Sequence, residues 1–301
     1  MGFSAKILID SVSPDQSRLT TFEVTFPRMI LPEFNTHRLF SRNSASSRAI
    51  PVEKMLKRVE EDPFIPTYWG KNQKGMQAEQ ELDLESQEKA KTAWLAAKGR
   101  AVDWAKTMLE LGVHKQITNR LLEPFMWHTV IVTATEWSNF FNLRDNKDAQ
   151  PEIKTIAQMM KEVYYSSIPK YCEYGDWHLP LIDKEDLQLA TYRDTSGRID
   201  IENLKKVSVG RCARVSYLTH DGKRDHKADV ELHDRLLSSG HMSPFEHIAR
   251  PLHKSDVTEN EYKEWVYGKE QTIFHKLTGN FKGWVQYRKT IPGEFDMLAT
   301  K

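Results

Sequence analysis

Residues 119–144, NRLLEPFMWHTVIVTATEWSNFFNLR, are the most apolar stretch of the chain, so any fold it adopts must carry them through its core. Arg144 ends that run. The segment after it, PEIKTIAQMMKEVYYSS, puts Ile153, Ile156, Ala157, Met160, Val163 and Tyr164 on one face of a helix started by Pro151. A guanidinium is therefore bracketed by two core elements. Upstream, KILIDSV and LTTFEVTF flank SPDQS, and Phe22, Val24 and Phe26 alternate with Thr21, Glu23 and Thr25. That is the period of a half-buried strand, so the chain opens with a hairpin. RAIPVEKMLKRVEED forms a short helix with Pro51 in its first turn, and PFIPTYWGKNQKG is a loop by its Pro and Gly content. From Leu84 to Leu111 the apolar positions Ala90, Trp94, Ala97, Ala101, Trp104, Met108 and Leu111 step by three or four until Gly112 stops the helix. GDWHLPLIDKEDLQLATYRDTSGRIDIEN reads as loop and short edge structure, and KADVELHDRLLSSG as an amphipathic helix ending at Gly240.

A chain of 301 residues, 39% hydrophobic and 28% charged, can bury one large core or two modest ones. Its net charge of +1 argues against general polyanion or nucleic-acid binding. No apolar run approaches the roughly 18 residues that span a membrane, and MGFSAKILIDSVSPD lacks the order of a signal peptide, so a cytoplasmic location is expected. Cys172 and Cys212 form no CxxC pair, which indicates neither a disulfide framework nor a metal site. GxSxG, HExxH, Walker and GxGxxG signatures are absent. What remains is THRLFSRNSASSR, residues 36–48, with three arginines, one histidine, five hydroxyls and no acid. The planar forks of Arg38 and Arg48, with Ser41, Ser44, Ser46 and Ser47 beside them, suit a small phosphorylated ligand. Composition leaves equal room for a solvated loop whose arginines pair with surface acids.

The spacing in this stretch resembles the flavin-dependent thymidylate synthases, whose signature is R-H-R, seven residues, then S-x-R. Here Thr36-His37-Arg38 is followed after seven residues by Ser46-Ser47-Arg48, with one position of six departing. NFFNLRDNKDAQPEI resembles the family's N-F-L-N-L-R and A-Q-x-E-I blocks, and GVHKQITNRLLEP the segment that supplies a further substrate arginine, here Arg120. Two more blocks, R-x-A-R-V-S and H-x-[ST]-P-x-E-H, lie at the N-terminus in the family but appear here as RCARVS at 211 and HMSPFEH at 241. The rotated order implies a circular permutation, acceptable because the termini of compact domains often lie close together. It is similar to bacteriophage-encoded members, which implies a host cytoplasm. GNFKGWVQYRKTIPGE resembles the strand leading to R-H-R, as if partly duplicated.

The resemblance implies an α/β (α+β) fold, a mixed sheet flanked by helices. It implies one catalytic unit over 1–301: residues 1–168 bear the motif, 169–204 connect, and 205–301 are the permuted segment. It implies FAD-dependent transfer of a one-carbon unit from methylenetetrahydrofolate to carbon 5 of dUMP, with NADPH as reductant and no cysteine nucleophile, in a homotetramer with shared sites. By matching positions, Ser46, Ser47, Arg48 and Arg120 hold the dUMP phosphate. Arg144 binds the pyrimidine and acts catalytically by stabilising charge on it. His37, Arg38, Asn43, Asn139, His241, Ser243 and Glu246 contact the flavin. The bland readings are a helix-terminus histidine for His241, a buried amide for Asn139, and pairing with Asp145 or Asp148 for Arg144. Departures are Thr36 for an arginine, Ser44 for a glutamate, Glu33 for a glutamine, Asp148 for a histidine, and Thr133 and Thr135 for Asn and Arg. They imply a rebuilt flavin pocket, in which Gln286, Arg288 and Lys289 could supply lost donors. The same departures leave open a hydroxymethylase of dUMP or dCMP, and a nucleotide-binding homologue without turnover.

Overall fold

The opening hairpin forms where the alternation places it, β1 (Ser4–Val12) against β2 (Arg18–Pro27) in antiparallel register. Its turn is closed by Ser13 and Ser17, whose backbone groups bond at 2.9 Å. The computed structural model describes residues 2–193, 199–217, 225–257 and 276–294. Beyond the hairpin, a turn of helix α1 (Leu31–Phe34) leads to the short strand β3 (Ser41–Ser44). The apolar run supplies β4 (Trp127–Ala134), inserted between β2 and β3, and β5 (Lys170–Tyr171) adds in parallel to β1. The result is a mixed sheet in the order β3-β4-β2-β1-β5.

One face of this sheet is the expected core. Phe22, Val24 and Phe26 of β2 and Val130 and Val132 of β4 pack against Ile153, Ile156, Ala157 and Met160 of helix α6 (Pro151–Ser166). Trp137, Phe140 and Phe141, on or beside helix α5 (Ser138–Arg144), close the cluster. The other face differs from the expectation of a half-buried strand. Thr21 and Thr133 are fully buried there, because a layer built from residues 172–193, 199–217, 225–257 and 276–294 covers them. Buried hydroxyls need partners. A chain of hydrogen bonds supplies them: Ser11 Oγ to His178 Nδ1 at 2.9 Å, His178 Nε2 to Thr21 at 2.8 Å, Thr21 to Thr133 at 2.7 Å, and Thr133 to His247 Nδ1 at 2.8 Å.

Helices α2 (Val52–Glu61) and α3 (Leu84–Glu110) form a second core with Leu122 and Phe125, at the end of which lies the short helix α4 (Lys115–Thr118). The stripe on α3 follows the spacing only in part, since Trp94 and Ala101 pack against this core. Val102 and Ala105 are buried while Trp104 and Leu111 stand 63% and 75% exposed, because only one side of this helix meets α2 and residues 119–125.

The segment read as loop and edge structure is instead helical: α7 spans Lys184–Arg193, and α8, Ile201–Arg214, begins within it and runs through RCARVS. Asp200 caps α8 by accepting from Asn203 N, a signal present in the sequence. Helix α9 (His226–Ser238) ends where Gly240 adopts φ +72°. The sequence resemblance placed permuted segments within the sheet. Among the described residues the C-terminal one contributes no strand to it. Its strands β6 (Ala249–Pro251) and β7 (Trp284–Gln286) pair with each other, so the supposed duplicated strand does not retrace the one leading to the motif.

Helices α8 and α9 touch at Gly210, where an added Cβ would lie 2.4 Å from the carbonyl oxygen of Asp229. The obstacle is backbone, so Gly210→Ala must push the helices apart. A loss of about 1–3 kcal/mol is expected in urea unfolding. An unchanged midpoint would show that this contact is loose.

Candidate functional site

Residues 212, 216 and 243 bond to residues 43 and 46, a contact that the expected permutation calls for. Asn43 Nδ2 donates to Cys212 O at 2.8 Å, Ser243 Oγ donates to Asn43 Oδ1 at 3.1 Å, and Ser46 N donates to Ser216 O at 3.0 Å. The motif therefore lies at a seam between the sheet and the C-terminal layer. Its residues fall into three groups.

The first group surrounds a cleft of about 500 Å³ lined by Thr36, His37, Arg38, Phe40, Asn139 and Arg144, among others. Helix α5 delivers Asn139 and Arg144 from one side, and the turn after α1 delivers His37 and Arg38 from the other. The Arg144 guanidinium is anchored by three groups. Its Nε donates to His37 Nε2 at 2.9 Å, Nη2 donates to Thr36 Oγ1 at 3.2 Å, and Nη1 pairs with Glu33. The acid that meets Arg144 is thus Glu33, not Asp145 or Asp148. Asp145 is held by Lys161 at 2.6 Å and Gln158 at 3.0 Å. His37 stacks on Phe40 with 5.6 Å between centroids, and burial followed by the charges of Arg144 and Arg42 lowers its pKa to about 4. At neutral pH it is an uncharged acceptor for Arg144 with its proton on Nδ1. Arg38 and Asn139 are exposed at the cleft, so the buried-amide reading of Asn139 does not hold.

The second group collects the expected phosphate ligands. Ser47 Oγ, Arg120 Nη1 and Arg28 Nη2 converge on the carboxylate of Glu123 at 2.9, 2.7 and 3.4 Å. Three donors thus gather on one anionic group. Arg48 is exposed, and Ser46 is tied through its backbone only. Arg28 and Glu123 escaped sequence reading because nothing local marks them; only the fold brings positions 28, 47 and 123 together.

The third group is the seam, where the residues matched to flavin contacts bond to neighbouring side chains. Asn43 and Ser243 satisfy each other, Glu246 pairs with Arg288, and His241 is exposed with Nδ1 bonded to Ser239 at 2.9 Å. Of the three residues offered as replacement donors, Gln286 reaches Ser41 Oγ at 3.3 Å and Asn280 at 2.9 Å, whereas Arg288 and Lys289 pair with Glu294, each at 2.6 Å. Thr133 belongs to the buried hydroxyl chain, and Thr135 Oγ1 accepts from Lys282 N at 3.0 Å.

Cys172 and Cys212 are both buried, which pushes the Cys172 thiol up to about 12 and raises that of Cys212. Neither is poised as a thiolate. A larger cleft of about 850 Å³ lies between the loop of Tyr68, Trp69 and Gln77 and the start of α6. No helix of the described residues is long and apolar enough to cross a membrane.

Burial lowers five histidines among the described residues: His37 to about 4, His128, His178 and His247 to about 3, and His233 in the same direction. Each is neutral in the folded chain and takes up a proton at about 6.5 once unfolded, so the unfolded state binds more protons between those values. Stability is therefore complete above about pH 6.5 and falls as pH drops toward 3. Melting temperatures at pH 7.5, 6 and 4.5 should decline in that order; a flat series would mean these rings are hydrated.

The thymidylate synthase complementing protein family model matches residues 13–170, just over half of the chain. The chain belongs to this family and is a thymidylate synthase-like enzyme. The match ends before RCARVS and HMSPFEH. No curated protein matches. Among solved structures, the chain is similar to a UMP/dUMP methylase, PolB of Streptomyces cacaoi, in complexes with 5-Br UMP and 5-Br dUMP. These are 15% and 13% identical with TM-scores of 0.45, covering 55% of this chain and 89% and 90% of theirs.

Proposed function

We propose that the protein transfers a one-carbon unit from methylenetetrahydrofolate to carbon 5 of a pyrimidine nucleoside monophosphate, dUMP in the reaction the sequence resemblance implies. FAD would be the bound cofactor and NADPH the reductant. The observation that carries this reading is the placement of Arg144 in the same cleft as His37, Arg38 and Asn139. Elements from opposite sides bring a fixed guanidinium beside residues matched to flavin contacts.

The cleft suits a planar ring system: Phe40 and Phe140 supply apolar walls, while Arg38 and Asn139 supply donors at the mouth. That fits part of FAD, since Asn43, Ser243 and Glu246 are engaged at the seam. The bound flavin would supply hydride. Arg144 would stabilise the negative charge that grows on the pyrimidine, and neutral His37 would hold its orientation. Ser46, Ser47, Arg48 and Arg120 would take the phosphate, which must displace Glu123 from Ser47 and Arg120. A shared site in a homotetramer is supported by the apolar side chains left on the surface around α3 and α4, namely Trp104, Leu111, Ile117 and Leu121.

The test combines FAD binding, followed by absorbance, with nucleotide binding and mass analysis of the nucleotide after a single turnover. Arg48→Lys should weaken nucleotide binding by roughly ten- to a hundredfold, about 1.5–3 kcal/mol for a charged hydrogen bond. A protein that binds neither FAD nor a pyrimidine monophosphate would refute the reading. A hydroxymethylated product would instead support the second reading, a hydroxymethylase of dUMP or dCMP.

A further inference from the structure

Three donors reach one oxygen of Glu123. Ser47 Oγ donates to Oε1 at 2.9 Å and Arg120 Nη1 at 2.7 Å, while Arg28 Nη2 stands off at 3.4 Å. Ser47 and Arg120 are among the residues assigned above to the nucleotide phosphate. A hydroxyl has one proton to give, so Ser47 cannot serve the carboxylate and a phosphate at once.

The surroundings decide which side yields. Asn119, fully buried, donates to Ser47 O at 2.6 Å and to Ile50 O at 3.0 Å, and Lys115 Nζ donates to Ala49 O at 2.9 Å. The turn that carries Ser47 is therefore tied down. Arg28 is held as well: its backbone N–H donates to Met126 O at 2.8 Å, and Nη1 lies 3.2 Å from Nε2 of the buried, neutral His128. Glu123 is less restrained. It projects, 22% exposed, from the 3-10 turn Asn119–Phe125, and among the described residues its carboxylate is held by those three donors alone.

Arg28 offers Glu123 a second position. Among the described residues Glu123 is the only acid this guanidinium meets, and at 3.4 Å the pair is loose. Burial lowers the pKa of Arg28, Glu123 offsets part of that, and Arg120 adds to the lowering. A charged hydrogen bond closes to about 2.7–2.9 Å, so a Glu123 released from Ser47 and Arg120 would strengthen its bond to Arg28.

Resting on the phosphate assignment of the proposed function, we infer that Glu123 is a two-position residue: it occupies Ser47 and Arg120 in the free protein and swings onto Arg28 when a nucleotide phosphate takes its place. Glu123 is thus an internal competitor that sets nucleotide affinity. Arg28 is a positioning residue that receives the displaced carboxylate and does not touch the phosphate.

Calorimetric titration of dUMP into the FAD-saturated, full-length protein tests this, with Glu123→Gln, Arg28→Gln and the double variant beside the wild type. Glu123→Gln should bind dUMP about tenfold or more tightly, since the competing charged hydrogen bonds are gone. Arg28→Gln should weaken binding about tenfold while Glu123 is present, and change it by less than about twofold when Glu123 is already glutamine. Weaker or unchanged binding in Glu123→Gln would make Glu123 a brace for Arg120, and equal losses from Arg28→Gln in both backgrounds would make Arg28 a phosphate ligand. Either result overturns the inference and leaves the phosphate assignment standing. Absence of dUMP binding in all four proteins would overturn both. A crystal structure of the wild type with dUMP decides the matter even if a variant folds poorly: the Glu123 carboxylate should lie on Arg28 and beyond about 3.5 Å from Ser47 Oγ. A Glu123 still bonded to Ser47 beside bound dUMP would sink the two-position reading.

Discussion

Arg144→Lys is expected to leave the protein folded and able to bind flavin while its single-turnover rate falls by about a hundred- to a thousandfold, the usual cost of removing one well-placed donor from a reacting anion. Arg144 holds His37, Thr36 and Glu33 with three different nitrogens, so the plane of its guanidinium is fixed before any ligand arrives. An ammonium keeps the charge but cannot span the same three partners and still face the ring. The measurement is the pre-steady-state rate on flavin-loaded protein, with nucleotide affinity determined separately. A rate equal to wild type, accompanied only by a lower melting temperature, would make Arg144 a structural ion pair and remove the central electrostatic group from the proposed reaction.

Arg211→Met should have the largest effect on stability, a loss of about 3–5 kcal/mol. Arg211 is 6% exposed and joins Asp186, 2% exposed, to Asp229, which is fully buried. It also donates to Leu181 O at 2.7 Å. Its removal would leave two buried carboxylates held, among the described residues, by His226 and the Asp183 backbone on one and Arg214 on the other. Asp186, now held well below the usual carboxylate range by hydrogen bonds from Arg211, the Asp183 backbone and His226, should then titrate higher. Arg211→Lys should destabilise less, since it retains the charge without the fork that reaches both acids. Urea unfolding of the three proteins decides the matter. If Arg211→Met unfolds at the wild-type midpoint, the network contributes nothing net, as happens when desolvation cancels attraction.

RCARVS also shows how far the sequence could be read. Its spacing marked a family block, yet residue type alone could not tell that Arg211 and Arg214 serve as ties between α7, α8 and α9 and not as ligands. The hairpin, α2, α6 and the end of α9 were legible because each is decided by local chemistry: alternation, Pro at or beside the first turn, Gly after the last. Helix α3 was legible in extent but only partly in orientation, since Trp104 and Leu111 satisfy the helical period as well as Val102 and Ala105 do. Which stripe is buried depends on where α2 lies. The segment holding α7 and α8 was misread because its Asp, Gly and Pro content outweighed the helix signal of Asp183 and Asp200, whose side chains accept from Asp186 N and Asn203 N.

At the site, proximity in sequence governed success. Thr36, His37 and Arg38 share the cleft with Asn139 and Arg144, two short stretches that the motifs had already joined. Glu33 was visible as a departure, but its role as the partner of Arg144 needed the turn at α1. Glu123, Arg28 and Asn280 carried no local signal. Asn43 and Ser243 bond to each other and Glu246 pairs with Arg288, partners that no local pattern marks.

The seam across Asn43 sets the order in which the protein can become functional during synthesis. Strand β3 and the motif leave the ribosome early, but Asn43 waits for Cys212 and Ser243, and Ser41 waits for Asn280 and Gln286, which are translated last. N-terminal parts begin folding first on a growing chain. Here the sheet would emerge with the buried threonines of its second face still open to water, so a nascent chain halted before residue 172 carries the whole signature and lacks the layer that covers it.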